Sequence, residues 1–136
     1  MAIRWMDLHK YSLVWVEFGN PKDNIDCDEE STYRYGLNMG HEFCYRHMAI
    51  VVSNNPKAAV IAVVPLTTYR YGDENYPTNV VIDVDKYGHI VYNKTTIKVE
   101  HIRNIDKRKR IKKIIKPFVS KTLQMKIVEA IRKSFE

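Results

Sequence analysis

The sequence predicts a mainly β domain, a small antiparallel sheet curled into a barrel and followed by one C-terminal amphipathic helix. The barrel is predicted by short, consecutive segments rich in β-branched and aromatic residues, separated by turn sequences. The helix is predicted by a change to the 3.6-residue period after Ser120. A chain of 136 residues has the length of one domain, residues 1–136, and can bury a core without disulfides or metals.

The first predicted strand is residues 13–18 (LVWVEF), which are β-rich. A long polar and acidic stretch follows at about residues 19–40 and contains Asn-Pro, Asp-Glu-Glu-Ser and Tyr-Gly sequences. These sequences predict a loop. A loop of this length is either a mobile lid over a binding groove or a solvated excursion without a role.

The next two predicted strands are residues 46–53 (RHMAIVVS) and 58–66 (AAVIAVVPL), joined by the turn sequence Asn-Asn-Pro-Lys. Their nearly continuous Val, Ile and Ala content predicts burial on both faces of the sheet. We expect Pro65 to end the second of these strands, because proline has no N–H for a ladder.

Residues 78–84 (TNVVIDV) and 95–99 (TTIKV) alternate between apolar and polar side chains, which predicts two half-buried strands. Tyr87-Gly88 lies between them and predicts a turn. The continuous basic stretch at residues 106–116 is predicted as a short helix that stops before Pro117.

Ser120 is a predicted N-cap for the terminal helix. The apolar residues at helical spacing on its inner face are Leu123, Ile127, Ala130 and Ile131, flanked by Val128 and Phe135.

The net charge of +6 is unevenly distributed along the chain. Residues 1–50 carry −3, residues 51–100 carry 0, and residues 101–136 carry +9 from 12 basic and 3 acidic side chains. A basic end suits a polyanion or an acidic peptide as partner, although a solvated helix face or connector has the same composition.

Several classes of protein are not supported. The first ten residues lack the apolar stretch of a secretory signal, so a cytoplasmic protein without membrane attachment is expected. Cys27 and Cys44 are outside any metal-binding spacing and are expected to be free thiols. The five histidines are scattered, and nucleotide-phosphate loops and the Gly-x-Ser-x-Gly elbow are missing, so neither a metal nor another cofactor is predicted.

Polar side chains stand where predicted strands begin or end. Arg46 opens the second strand, Thr67 and Thr68 follow the third, and residues 100–103 (EHIR) follow the fifth. In a small barrel alternate strand ends converge at one rim, so these groups could form one polar site. From the residues alone, ordinary strand-end roles for Arg46 and Thr67 are the preferred interpretation.

Three blocks of the chain resemble the MazF/PemK family of toxin–antitoxin ribonucleases. Residues 13–19 (LVWVEFG) resemble the family's opening strand, and residues 40–53 with 60–67 resemble its Glu-x-Gly-x-Arg-Pro strand and the following Pro-[IVL]-Thr strand. The most specific block is residues 77–110, which contains VEHIRNIDK where the family reads hhEQIRTIDK. The resemblance implies an SH3-like barrel and covers nearly all of the chain except residues 20–39.

By this resemblance, Arg46 takes the place of the catalytic arginine and Thr67 that of the catalytic threonine. The implied reaction is metal-free attack of a ribose 2′-OH on the adjacent phosphate of single-stranded RNA. A bidentate guanidinium and a hydroxyl donor suit the charge that develops in such a reaction. The implied RNA-binding residues are His41, Glu42, Thr68, Tyr69, Glu100, His101 and Arg103.

The chain departs from the family pattern beside its expected site. His47 follows Arg46 where the family has Pro, Cys44-Tyr45 replaces a glycine, and His101 replaces Gln, while Asn104 replaces Thr. His41, His47 and His101 are candidate general bases, and each is also consistent with a structural role.

The resemblance also implies partners. A homodimer would receive single-stranded RNA in a groove at its interface, and a cognate antitoxin would place an acidic segment in that groove. The stretch at residues 20–39 would then be a lid over the RNA. Two other classes share this barrel: a nucleic-acid-binding module without activity and a toxin directed at DNA gyrase.

Overall fold

The computed structural model describes residues 2–21, 37–38 and 43–136. Most of the predicted loop at residues 19–40 therefore lies outside the described residues, together with Cys27, His41 and Glu42. The strands within the described residues are β1 (Leu13–Glu17), β2 (Asn20–Pro21), β3 (Leu37–Asn38), β4 (Arg46–Val51), β5 (Val60–Thr68), β6 (Asn79–Ile82), β7 (Thr95–Lys98), β8 (Arg103–Asp106) and β9 (Ile111–Lys116).

The α-helical segments of the described residues are α1 (Val84–Tyr87), α2 (Lys107–Arg110) and α3 (Lys121–Ser134). Single 3₁₀ turns occur at Trp5–Asp7, Asp73–Asn75 and Val99–His101. The turn predicted at Tyr87-Gly88 is the end of α1, for which Gly88 is the C-cap residue.

Seven strands form the main antiparallel sheet in the order β6-β7-β5-β4-β1-β9, and β8 also pairs with β5. Strand β5 is long enough to serve two parts of this sheet. Its residues 60–63 pair with β8 and its residues 66–68 pair with β7, while β4 runs along its other edge. This sharing of one strand gives the SH3-like, barrel-like curvature that the sequence predicted, with β6 and β9 at the two edges of the described sheet.

The core has two parts, one on each face of the sheet around β1, β4 and β5. Leu13, Ile50 and Val64 point to the part covered by α3, and their strand neighbours point to the part covered by the N-terminal segment. Because both faces are covered, these strands need apolar side chains at successive positions. The prediction that β4 and β5 are buried on both faces is confirmed for residues 49–51 and 63–66, whereas Arg46 and Val60 at the strand starts are exposed.

Pro65 does not end a strand, and that prediction is wrong. The residue is buried within β5, where it pairs with Ala49 of β4. On the opposite edge it falls between the part of β5 that pairs with β8 and the part that pairs with β7. A residue without an N–H is tolerated at such a change of partner, because this edge lacks a continuous ladder there.

The helix predicted at residues 106–116 is also largely wrong. Only Lys107–Arg110 forms a helical turn, capped by the Asp106 side chain, and Ile111–Lys116 is the edge strand β9. Strand β9 pairs with β1 with two register shifts, one between Leu13 and Val14 and one between Trp15 and Val16.

Helix α3 confirms the predicted terminal helix. The Ser120 side chain accepts a hydrogen bond from the Leu123 amide, and Leu123, Ile127 and Ala130 are buried. The cap supplies a partner for one unpaired N–H of the first helical turn, and the apolar stripe seals one end of the barrel.

Candidate functional site

Arg46 opens β4 at the rim of the barrel. The preceding residue, Tyr45, has a φ of 61°, and its amide donates a hydrogen bond of 2.5 Å to the Gly19 carbonyl. This step in the backbone places Arg46 opposite Glu17 of β1. The Arg46 Nε atom lies 3.8 Å from Glu17 Oε2, and the arginine side chain is 57% exposed. The guanidinium is therefore positioned by one ion pair and remains accessible to an anion.

A first cavity of about 430 Å³ lies against this rim. The predicted site residues Arg46, Thr67 and Thr68 all line it, although they come from two different strands. Its other functionally relevant side chains are Trp15, His47, His89, Tyr92 and Lys113. Two cations and several hydroxyl-bearing and aromatic side chains thus line one open space.

A second cavity, of about 330 Å³, shares His47, Thr67 and Thr68 with the first. Its further lining residues are Phe43, Cys44, Arg70, Asp73, Lys98 and His101. We call the two neighbouring cavities together the groove. The threonine pair at the end of β5 lies where its two parts meet.

His47 and His101 are held by the same aromatic ring in the second cavity. The ring of Phe43 lies 4.9 Å from His47 and 4.9 Å from His101, in T-shaped contacts. Phe18 contacts His47 from the core side at 6.1 Å. His47 Nδ1 lies 3.2 Å from the Leu66 carbonyl oxygen, so its ring is tied to the residue before Thr67.

Asp73 ties the loop after β5 to the wall of the second cavity. Its Oδ2 atom accepts hydrogen bonds from the Thr96 hydroxyl at 2.7 Å and the Arg70 amide at 2.9 Å. The Lys98 ammonium lies 3.6 Å from Oδ1. Burial acts to raise the pKa of Asp73, but the two hydrogen bonds and the lysine together hold that pKa below its ordinary value. Asp73 is therefore an anion at neutral pH and offsets one of the cations of the groove.

Tyr69 lies outside the linings of both cavities. Its hydroxyl donates a hydrogen bond to Glu74, and the Lys94 ammonium lies 4.1 Å above its ring. The hydrogen bond raises the pKa of Tyr69 and lowers that of Glu74. One face of this ring is thus already covered by a cation, which makes it less available for stacking than its sequence position suggested.

Glu100 and Arg103 flank the groove rather than line it. Glu100 is exposed in the 3₁₀ turn that contains His101. The Arg103 guanidinium donates a 3.3 Å hydrogen bond to the Phe18 carbonyl and lies 5.8 Å from the Phe18 ring. Arg103 therefore braces the wall beneath His47.

Trp15, Lys113 and Tyr92 are among the lining residues that were not predicted from the sequence. Trp15 and Lys113 face each other across the β1–β9 pair, and the exposed Tyr92 follows α1. Trp15 stands between the buried Val14 and Val16, and this alternation was a usable signal that its ring lies on the other face of β1. The position of Lys113 gave no such signal, because its segment was assigned to a helix.

The thiol of Cys44 lines the second cavity as a free cysteine. Burial, and next the nearby Glu17 carboxylate, raise its pKa, so the thiol is neutral at pH 7. Within residues 2–21, 37–38 and 43–136, no group of three or more His, Cys, Asp or Glu side chains could hold a metal ion. The same part of the chain contains no helix long and apolar enough to span a membrane.

Fold and groove together define a small SH3-like β-barrel protein with an open, cationic and aromatic groove at one rim. The sequence profile of the PemK-like, MazF-like toxins of type II toxin–antitoxin systems matches residues 34–135. The chain therefore belongs to this toxin family. The search of curated protein sequences gave no match.

Solved structures of toxins share the fold. MazF (form I) from Deinococcus radiodurans is 18% identical with a TM-score of 0.64, and the match covers 93% of this chain and 94% of that one. The Mycobacterium tuberculosis toxin MazF-mt6 is 15% identical with a TM-score of 0.55, over 69% of this chain and 90% of that one. At these identities the likeness concerns the fold.

Proposed function

We propose that this toxin is a sequence-specific, metal-independent endoribonuclease that cleaves single-stranded RNA, in particular mRNA. A ribose 2′-OH attacks the adjacent phosphate and leaves a 2′,3′-cyclic phosphate and a 5′-OH end. The observation that carries the proposal is the presence of Arg46 and Thr67, from different strands, in the lining of one cavity.

Arg46 and Thr67 supply complementary donors to the reacting phosphate. The accessible guanidinium can donate two parallel hydrogen bonds to a phosphorane that carries two negative charges. The Thr67 hydroxyl can donate one more to a nonbridging oxygen. A donor aimed at developing charge contributes about 10²–10³ in rate, so the loss of either side chain should slow cleavage by at least about a hundredfold.

The rest of the groove suits a single strand. Lys113 and Arg46 are cations for the backbone, and Trp15 and Tyr92 offer ring faces for bases, at about 1–3 kcal/mol per stacked base. Thr68 and His101 line the groove and are proposed to contact RNA directly. His41, Glu42, Tyr69, Glu100 and Arg103 are proposed to contact it from the rim.

The proposed partners follow from family membership. A type II toxin has an antitoxin, and we propose that an acidic antitoxin segment competes with RNA for the cations of the groove. We further propose a homodimer in the cytoplasm, with the RNA groove at its interface. The net charge of +9 on residues 101–136 is complementary to both anionic partners.

The test is cleavage of a long single-stranded RNA in EDTA, with mapping of the product ends. The wild type should cut at one short motif and leave 2′,3′-cyclic phosphates, and Arg46→Ala should be at least about a hundredfold slower. Arg132→Ala is the matched control, because Arg132 is 67% exposed and paired with Glu129 on α3. This variant should cleave like the wild type.

Other outcomes would favour other functions. Intact RNA that is nevertheless bound in a salt-dependent way would indicate a nucleic-acid-binding module without activity. Intact and unbound RNA, together with inhibition of DNA gyrase, would indicate a gyrase-directed toxin. Equal cleavage by the wild type and Arg46→Ala would contradict the proposed site.

A further inference from the structure

We infer that His47 and His101 act as the acid–base pair of the cleavage reaction. His47 takes the proton from the attacking 2′-OH, and His101 gives a proton to the departing 5′-oxygen. The inference rests on the proposed function and names the two groups that this function leaves unassigned.

The geometry brings both imidazoles to Thr67, one of the two proposed phosphate donors. His47 lines both cavities with Thr67 and Thr68, and follows Arg46 directly in β4. His101 comes from a different part of the chain, yet it lines the same second cavity. Because each ring lies 4.9 Å from the Phe43 ring, one aromatic side chain positions both histidines at the wall of the second cavity. Two imidazoles that line one cavity can serve the entering and the leaving oxygen of one phosphate bound there.

The hydrogen bond of His47 selects its role. A carbonyl oxygen only accepts, so His47 Nδ1 carries the proton that is donated to Leu66. The neutral ring then keeps its lone pair on Nε2, which is the form required of a general base. The same bond anchors the ring to the residue before Thr67, so base and phosphate donor are positioned by one strand.

The two proposed phosphate donors are unsuited to this proton transfer. A guanidinium offers only N–H donors, and the Thr67 hydroxyl is a weak base. The charged groups that face the pair from the neighbouring elements are Glu17, Arg46, Arg70, Asp73, Lys98 and Lys113. Cys44, His89 and Tyr92 are further titratable groups of the groove. Four of these charged side chains are cations and two are anions, so their net charge is complementary to a bound phosphate.

Every proton that moves in the reaction is accounted for. The O2′–H bond breaks as His47 Nε2 takes the proton, the O2′–P bond forms, and the P–O5′ bond breaks. His101 gives its proton to O5′, which leaves as a hydroxyl. The two histidines then exchange protons with water and return to their starting forms, with no net change in oxidation state or charge.

The experiment measures cleavage rate against pH in EDTA for a short oligoribonucleotide that spans a mapped cut site. The wild type should give a bell-shaped profile, since one histidine must be neutral and the other protonated. His47→Asn keeps a side-chain N–H near the position of Nδ1 but has no base, and it should lose about 10²–10⁴ in rate together with the acidic limb of the profile. His101→Gln should lose a comparable factor together with the alkaline limb.

A second substrate separates the two roles. With sulfur in place of the 5′-bridging oxygen, the leaving group departs without a proton, so His101→Gln should recover to near the wild-type rate and His47→Asn should not. His9→Gln is the control, because His9 stacks on Phe118 outside the groove at 4.7 Å. The His9→Gln variant should keep the wild-type cleavage rate and both limbs of the pH profile. The wild type itself should lose its alkaline limb on the sulfur substrate, which tests His101 even if a variant folds poorly.

Three results would overturn the inference. They are a His47→Asn variant with the wild-type profile, a sulfur substrate that fails to rescue His101→Gln, and a sulfur substrate that rescues His47→Asn instead. Each would leave the proposed ribonuclease function intact as long as the wild type cuts RNA and Arg46→Ala does not. An inactive wild type would overturn both proposals together.

Discussion

Replacement of Asp73 by Asn tests the support of the groove with almost no change in side-chain volume. The amide oxygen can take the place of Oδ2 and still accept from Thr96 and from the Arg70 amide, but as a neutral acceptor. The amide nitrogen then takes the place of Oδ1 and faces the Lys98 ammonium, which lies 3.6 Å from Oδ1 in the wild type. Two charge-assisted hydrogen bonds and one ion pair are therefore changed at once.

The magnitude follows from these three interactions. A hydrogen bond to a charged group contributes about 1.5–3 kcal/mol and a neutral one about 0.5–1.5 kcal/mol, so each bond loses roughly 1 kcal/mol. Loss of the pairing with Lys98, a largely but not fully buried side chain, costs roughly 1 kcal/mol more. Asp73→Asn should thus lower the free energy of unfolding by about 2–4 kcal/mol, out of roughly 5–15 kcal/mol for a typical domain.

The sign of the pH dependence is fixed by the lowered pKa of Asp73. A carboxyl whose folded pKa lies below its unfolded value stabilises the fold above about pH 4 and loses this contribution as pH falls through the folded pKa. Urea unfolding should therefore show the full difference between wild type and Asp73→Asn at pH 7 and a smaller one near pH 3. Lys98→Met and the double variant complete a cycle that isolates the ion pair. An unchanged midpoint at pH 7, or an equal difference at both pH values, would refute the reasoning.

Thr67→Val removes the hydroxyl at nearly constant shape and should slow RNA cleavage by about 10²–10³, with an unchanged melting temperature as the check on folding. Ile127→Ala, at a fully buried position of α3, should lower the free energy of unfolding by about 2–5 kcal/mol in urea titrations. Val128→Ala is its matched control, since Val128 is 49% exposed and its loss should change stability by less than about 0.5 kcal/mol. Ser120→Ala removes the 3.3 Å bond to the Leu123 amide and should cost about 1 kcal/mol by thermal unfolding; no loss would mean that the cap is not made in solution.

The sequence correctly predicted the elements that a local pattern of residues defines. Strands β4 and β5 are nearly continuous apolar runs, and α3 has a cap and a clean stripe. Strand β9 was misassigned because Ile111 and Ile114, three residues apart, both pack on the same part of the core. In a regular strand they would face opposite sides. The register shift against β1 at Trp15/Val16 restores a common side, and such a bulge leaves no signal in composition.

The residues of the candidate site could be predicted from the sequence to different extents. Arg46 and Thr67 follow from strand ends and from a resemblance in their motifs. The contribution of Lys113 depends on the pairing of β9 with β1, which joins segments about a hundred residues apart in sequence. The sequence predicted that Tyr69 contacts RNA. In the structure, the Lys94 ammonium lies over its ring and Glu74 accepts a hydrogen bond from its hydroxyl, and these two residues come from separate segments. Contacts of this kind are decided by tertiary packing and not by the spacing of residues.

The sharing of β5 between two parts of the sheet has a consequence for how the molecule opens. Its amides and carbonyls bond to β4 on one edge and to β7 or β8 on the other, so neither part of the sheet can detach without disturbing the same strand. Hydrogen exchange in the centre of β5 should therefore proceed only through global unfolding, whereas the edge strands β6 and β9 exchange through smaller openings. Thr67 lies at the end of this strand, so the proposed phosphate donor would be a rigid reference to which a bound RNA adjusts.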